Sequence, residues 1–286
     1  MLIQLVLSSI AIGAIYALVA MGFTLLWQAS RTVNFAQGDF ITVSAVLMFI
    51  LVCAGVPFAW ALLTTVAISG VLLGYVVKTG IIQPLIRRSQ TTLIVATIAL
   101  SFLASNAVAT FWTAQCKAFP PVFGMTPYRV GSVALSRQHV WTIVIAIALI
   151  LAVNLFIQRT KPGKAMQAVA QNREAAKVLG INISRVTTMV FIMNAVLVAF
   201  AAILIAPVYM VRFDMGAQLG LKAFYSAAIG GFNQIRGALL GGFLVGIIET
   251  FTSAYLSTEY REMFVLIILI AVILIRKEGL LGTEER

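Results

Sequence analysis

The sequence predicts an all-α polytopic membrane protein with eight or nine transmembrane or re-entrant helices. Of its 286 residues, 61% are hydrophobic and only 10% are charged, whereas soluble domains have about 25% charged residues. The mean hydropathy is +1.03, and uncharged stretches near the roughly 20 residues needed to span a bilayer recur along the chain. So few charges could not cover a soluble surface, which excludes an ordinary soluble enzyme, a disordered chain and a nucleic-acid-binding module.

The uncharged stretches define the predicted spans. The first is Leu2–Trp27, which lacks the basic region of a cleaved signal peptide and is expected to stay in the membrane. The long uncharged run that follows is interrupted near Pro57 and is interpreted as two helices, 39–54 and 57–77. The later spans, in chain order, are 91–113, 140–158, 186–211, 237–257 and 260–275. The glycine-rich segment 219–232 either crosses fully or is re-entrant, which leaves the count at eight or nine.

Basic residues predict the orientation. The chain has 20 Lys and Arg against 9 Asp and Glu, a net charge of +11, and basic residues accumulate in cytoplasmic loops. If the chain crosses nine times with its N-terminus outside, 14 of the 20 basic residues lie inside and 6 lie outside. Lys78 is counted among those inside and Lys222 among those outside. The N-terminus is therefore expected outside and the C-terminus in the cytoplasm. The basic loop 159–185 is predicted inside and the Pro- and Gly-containing loop 114–139 outside, within a single transmembrane domain covering residues 1–286.

The cytoplasmic segment 163–186 has a helix-forming composition, and Gly180 is a plausible helix stop. Its apolar positions could share one face and leave the charged residues outward. The apolar positions include Ala168, Ala175, Val178 and Leu179, and the charged ones are Arg173, Glu174 and Lys177. Two interpretations stay open: an amphipathic helix lying on the membrane surface, or a helix that docks into a groove of a cytoplasmic partner.

Polar residues gather at the inner end of the first span. Asn34, Gln37 and Asp39 follow it within a few positions. Asn34 and Asp39 are residue types favoured at helix starts, so one interpretation is that they cap the next helix. The other is that these three residues line or gate a translocation path.

A stripe of small residues occupies the segment 230–249. Gly237 and Gly241 are four residues apart, and Gly242 and Gly246 continue the pattern. Such spacing lets helix backbones approach closely, either within this chain or along a seam between subunits. Glu249 lies about halfway along the same span. An ionisable group there is a candidate for the translocation path, unless it pairs with a basic group of a neighbouring helix or stays protonated.

The sequence offers little for chemistry on a substrate. It has one histidine and two cysteines, and no cluster of catalytic or metal-ligating residues. No catalytic residue, metal site or cofactor is therefore predicted. The chain also lacks the G-x4-G-K-[ST] phosphate loop, so any ATP would be bound by a separate subunit.

These motifs resemble those of the LivH-type permease family of branched-chain amino acid ABC transporters. Glu174-Ala175-Ala176, three residues and Gly180 resemble the EAA-x3-G loop of such permeases. Residues 13–39 resemble the N-terminal signature, with Gln37 where the family often has histidine. Residues 230–249 and the tail IRKEGLLG resemble the family's C-terminal patterns, so the resemblance extends over nearly the whole chain.

The resemblance implies a permease subunit of an ATP-driven importer in the bacterial inner membrane. Glu174, Ala175, Ala176 and Gly180 would couple it to the ATPase. The implied partners are a LivM-type permease, two cytoplasmic ATP-binding subunits and a periplasmic substrate-binding protein. The solute would be a branched-chain amino acid or a related small solute.

Two alternatives are weaker. A stand-alone ion-coupled secondary transporter or channel would need ionisable residues along its path, and only Asp39 and Glu249 are acids near membrane depth. An intramembrane enzyme would need paired catalytic groups, which the sequence lacks.

Overall fold

The protein is described by a computed structural model for residues 2–86, 89–120, 123–124, 126–130 and 133–282, and it is almost entirely helical. These ranges contain twelve α-helices, two π-helical segments and one β-hairpin. The α-helices are α1 (Leu2–Ser30), α2 (Gln37–Cys53), α3 (Phe58–Ser69), α4 (Gln83–Ile86), α5 (Gln90–Phe111), α6 (Arg137–Arg159), α7 (Lys161–Gln171), α8 (Arg173–Val178), α9 (Ile183–Tyr209), α10 (Met215–Gly230), α11 (Ile235–Tyr255) and α12 (Arg261–Ile275). The π-helical segments Gly70–Val76 and Lys78–Ile82 join α3 to α4, so that Phe58–Leu85 is one continuous helix.

Six helices in the described part of the chain are long and apolar enough to cross a membrane. They are Leu2–Ser30, Phe58–Leu85, Gln90–Phe111, Arg137–Arg159, Ile183–Tyr209 and Ile235–Tyr255. Helices α2, α10 and α12 have 17, 16 and 15 residues, fewer than the roughly 20 that span a bilayer. The chain is a polytopic helical membrane protein, and the count of eight or nine crossings remains a prediction.

The structure departs from the all-α prediction in the loop 114–139. Strand β1 (Tyr128–Val130) pairs antiparallel with β2 (Val133–Leu135), with Tyr128 opposite Leu135. Outside the apolar spans water can satisfy backbone groups, so helix is not obligatory there, and Tyr and Val favour extended backbone.

Two basic residues that the sequence analysis counted in loops lie within helices. Lys78 is 2% exposed, and its Nζ donates hydrogen bonds to Gln83 Oε1 at 2.7 Å and Ser184 Oγ at 3.3 Å. Lys222 lies in α10 and is 6% exposed. Their assignment to loops is wrong, because both residues lie within helices.

The chain forms two compact units, each assembled from segments distant in the sequence. The first unit comprises Met1–Thr24, Pro120–Ala148 and Leu221–Arg286, and the second comprises Leu25–Phe119 and Leu149–Gly220.

In the first unit, α11 crosses α1 at very close range. A β-carbon placed on Gly242 would overlap the backbone of Ala17, and one placed on Gly246 would overlap the backbone of Gly13. A crossing this close needs glycine on α11, because any side chain would hold the two backbones apart.

The other two glycines of the stripe face α10 in the same unit. A β-carbon on Gly237 would overlap Gly230, and one on Gly241 would overlap the carbonyl of Ser226. The segment after α12 returns to the end of α10, where Leu281 N donates a hydrogen bond to the carbonyl of Gly230 at 3.1 Å. All four predicted packing glycines therefore lie against helices of their own chain.

In the second unit, α9 is the span with the largest buried share among the six candidate membrane spans. Its buried side chains are mostly apolar and many are small, and it packs against α2 and the first π-helical segment. The hydroxyls of Ser44 on α2 and Ser69 on α3 share a buried hydrogen bond of 2.9 Å, which satisfies two polar groups where no water is available.

Gly242→Leu and Gly246→Leu are each expected to destabilise the protein by about 1–3 kcal/mol or more, the usual cost of overpacking. Thermal unfolding in detergent, followed by fluorescence-detected gel filtration, measures the effect. The matched control is Gly80→Leu, since a β-carbon on Gly80 meets no atom within 4 Å. If both α11 variants melt like the wild type, the close crossing does not exist.

Candidate functional site

The segment between α6 and α9 is where the sequence analysis predicted coupling to an ATPase. Helix α7 begins after Thr160, whose Oγ1 accepts a hydrogen bond from Gly163 N at 3.1 Å. Met166 and Val169 are buried, and they attach the amphipathic α7 to the second unit.

The predicted helix of this segment is in fact two helices, because Asn172 interrupts it. The backbone of Asn172 is extended, and its Oδ1 accepts hydrogen bonds from Glu174 N at 3.0 Å and Ala175 N at 2.9 Å. Asn is among the preferred N-cap residues, so it ends α7 and starts α8. Gly180 ends the segment with a φ of +81°, a backbone conformation that glycine adopts without strain.

Helix α8 presents its surface away from the rest of the chain. Glu174 and Ala175 are exposed, while Ala176 is buried and holds the helix in place. Val178 and Leu179 are 87% and 78% exposed, so two large apolar side chains stand beside the charged residues instead of packing inward. An exposed apolar patch next to charged residues is typical of a protein-binding surface.

Asp39 does not cap its helix, contrary to one of the two interpretations above. Asp39 lies in the first turn of α2. The N-cap residue of this helix is Ala36, and no side chain makes a capping hydrogen bond there. The Asp39 carboxylate is fully buried and accepts hydrogen bonds from Ser101 and, at 2.5 Å, from Ser105. Sequence reasoning missed both serines, although their i, i+4 spacing puts them on one face of α5.

The other two polar residues near the start of α2 are also buried. Asn34 Oδ1 accepts a hydrogen bond from Ala36 N at 3.1 Å, which orders the turn before α2. Gln37 is fully buried at the first position of α2. The structure brings Asn34, Gln37 and Asp39 into one short stretch of the second unit, and their role in a translocation path stays a prediction.

Glu249 lies in a buried charged cluster of the first unit. Its Oε1 is 2.5 Å from Lys222 Nζ and 3.7 Å from an Arg261 guanidinium nitrogen. Its Oε2 accepts a hydrogen bond of 2.7 Å from the Tyr16 hydroxyl. Glu249 and Lys222 are 4% and 6% exposed, so this is the pairing with a basic neighbour that the sequence left open.

The cluster joins four helices of the first unit. Tyr16 comes from α1, Lys222 from α10, Glu249 from α11 and Arg261 from the start of α12. Lys222 Nζ also lies 5.9 Å from the centre of the Tyr16 ring, a cation–π distance. Sequence reasoning missed Lys222 because it assigned that residue to a loop.

Within the described residues, no group of three or more His, Cys, Asp and Glu side chains is placed to hold a metal ion. Cys53 and Cys116 are exposed free thiols.

The matches to known proteins extend over nearly the whole chain. The family model described as "Branched-chain amino acid transport system / permease component" matches residues 5–273. The chain belongs to this family. Members of the family are transport components and not enzymes. The match assigns no role to single residues of this permease component.

Individual relatives agree with the family match. The high-affinity branched-chain amino acid transport system permease protein LivH of Salmonella typhimurium is 28% identical over 298 residues, which cover 99% of this chain and 96% of LivH. The corresponding permease protein BraD of Pseudomonas aeruginosa is 28% identical over 303 residues, with the same coverage. A solved structure, PsaBC from Streptococcus pneumoniae in complex with Fab, shares the fold at a TM-score of 0.50, with 10% identity over 93% of this chain and 90% of that one.

Lys222→Met and Glu249→Gln are each expected to destabilise the permease by about 3–5 kcal/mol, because each leaves a buried charge without its partner. The double variant is expected to recover most of that loss, since it removes both charges. Thermal melting of the wild type and the three variants in detergent measures the coupling free energy between Lys222 and Glu249.

The control is Arg212→Gln, which breaks the exposed Arg212–Asp214 ion pair and is expected to cost no more than about 1 kcal/mol. If the double variant is as unstable as the two single losses added together, the buried groups are not coupled.

Proposed function

We propose that this chain is the membrane-spanning permease subunit of an ATP-driven importer. It forms the translocation path for branched-chain amino acids or a related small solute. The observation that carries the proposal is the exposed helix α8 in a chain of the permease family. Val178 and Leu179 lie uncovered beside Glu174, and the sequence has no phosphate loop of its own.

The coupling step follows from how the segment is attached. Helix α7 is anchored by buried Met166 and Val169, and Ile181 alone separates Gly180 from Asn182, which caps α9. A cytoplasmic ATPase that moves α8 would therefore pull on the start of α9. Since α9 packs against α2 in the second unit, the displacement would reach the helix that carries Asp39.

The assembly we propose contains a second, LivM-type permease, two ATP-binding subunits in the cytoplasm and a substrate-binding protein in the periplasm. The permease lies in the bacterial inner membrane with its N-terminus outside and its C-terminus inside. That orientation rests on the excess of basic residues in the loops on one side.

A stand-alone ion-coupled carrier is less well supported. Such a carrier needs acids that are free to bind and release an ion. The Glu249 carboxylate is already paired with Lys222 at 2.5 Å, and the Asp39 carboxylate is held by two serine hydroxyls.

Glu174→Lys is expected to reduce uptake by about tenfold or more, equivalent to about 1.4 kcal/mol lost at the ATPase contact. The free energy of unfolding of this variant should differ from that of the wild type by no more than about 0.5 kcal/mol, because the Glu174 side chain is exposed. The measurement is ATP-driven amino acid uptake into vesicles containing the complete complex. The matched control is Glu259→Lys, a charge reversal at another exposed glutamate.

The same vesicles separate the two transport classes. Vesicles with this chain alone and an ion gradient are expected to show no uptake, and the complete complex should transport with ATP even when an uncoupler is present. Ion-driven uptake by the chain alone would assign it to the secondary carriers, and normal uptake by Glu174→Lys would remove the coupling role of α8.

The proposed orientation predicts which loops an impermeant thiol reagent reaches in intact cells. In a background with Cys53 and Cys116 replaced by Ser, a cysteine at exposed Gln167 should stay unlabelled, while one at exposed Thr126 should be labelled. Disrupting the cells should make Gln167→Cys reactive. Ready labelling of Gln167→Cys from outside contradicts the orientation.

A further inference from the structure

An apolar groove lies in the second unit between the C-terminal half of α6 and the N-terminal half of α9. Its volume is about 770 Å³, within the roughly 300–1,000 Å³ usual for ligand pockets. One wall consists of Leu149, Ala152, Val153 and Phe156, which recur every three or four residues on α6. The other wall is the matching stripe of α9, and Tyr75 of the first π-helical segment completes the lining. Both helices are apolar spans, so the groove is expected at membrane depth.

One end of the groove is basic. Arg185 lies there in the first turn of α9, and its exposed side chain makes no hydrogen bond or ion pair with the described residues. The neighbouring cation, Lys78, is already engaged by Gln83 and Ser184. No acidic residue lines the groove, so Arg185 has no counter-charge within it.

The length of the groove corresponds to one leaflet of a bilayer. The α9 stripe extends from Arg185 to Leu197, which is about 18 Å at 1.5 Å per helical residue. Half of a hydrocarbon core of about 30 Å is about 15 Å. With Arg185 at the start of α9 and close to the end of α6, the basic end lies at headgroup level and the apolar walls lie along the acyl chains.

We propose that this groove binds an anionic phospholipid, with an acyl chain between α6 and α9 and the phosphate at Arg185. Arginine pairs strongly with phosphate through charge-assisted hydrogen bonds, and basic pockets between membrane helices select acidic headgroups. A helix from another subunit could also fill an apolar groove, but only an occupant with a negative charge at this end pairs with Arg185. The site depends on neither the solute nor the use of ATP.

The test is a titration of the purified full-length chain with dioleoylphosphatidylglycerol or dioleoylphosphatidylcholine, followed by native mass spectrometry. The wild type should bind one phosphatidylglycerol about fivefold more tightly than phosphatidylcholine, the effect expected of one basic side chain near an anionic headgroup. Arg185→Gln should make the two affinities equal. Ala152→Trp, at an exposed position of the α6 wall, should weaken both by filling the groove.

The matched control is Arg159→Gln, which removes an exposed arginine in the last turn of α6 that does not line the groove. This variant should keep the preference for phosphatidylglycerol. The proposal is overturned if the wild type shows no preference, if Arg185→Gln keeps it, or if Arg159→Gln loses it equally. It is also overturned if a photo-crosslinker at Ala152 in native membranes captures another subunit instead of a phospholipid.

Discussion

The constraint on which the rest of the structure depends is that a hydrocarbon layer provides no hydrogen-bonding partners. A charged side chain that is buried among these helices is therefore stable only where the chain itself supplies a partner. The Glu249 carboxylate accepts hydrogen bonds from the Lys222 ammonium and the Tyr16 hydroxyl. The Asp39 carboxylate accepts hydrogen bonds from two serine hydroxyls. Because an unpaired charge at such a place costs several kcal/mol, these contacts specify which helices must meet.

Close backbone packing supports the same arrangement. Lipid competes with protein for apolar side chains, so membrane helices associate largely through close contact of small residues. The crossing of α11 over α1 at Gly13 and Ala17 lies beside Tyr16, which donates its hydroxyl hydrogen to Glu249. Gly242, Gly246 and the hydrogen bond between Tyr16 and Glu249 therefore belong to the same contact between α1 and α11.

The start of α9 links the segment that we propose for coupling to the apolar groove. Asn182, two residues after Gly180, caps this helix, and Arg185 lies in its first turn, at the basic end of the groove. A displacement of α8 would therefore act on the same turn that we propose to hold a lipid phosphate. The exposed side chains of Val178 and Leu179 and the apolar side chains that line the groove are two separate apolar surfaces, to which we assign different occupants.

The sequence by itself determined the membrane class, the approximate bounds of the long helices and the glycine stripe, because hydropathy, charge and residue spacing are properties of neighbouring residues. It could not identify Lys222 as the partner of Glu249 or Ser101 and Ser105 as the partners of Asp39, since these pairs are 27, 62 and 66 residues apart. The break at Asn172 was missed because composition favours helix on both sides, whereas the Asn172 side chain caps a new one. Only the tertiary structure decided these pairings, because the energy of a buried polar group depends on which helix faces it and not on its neighbours in the sequence.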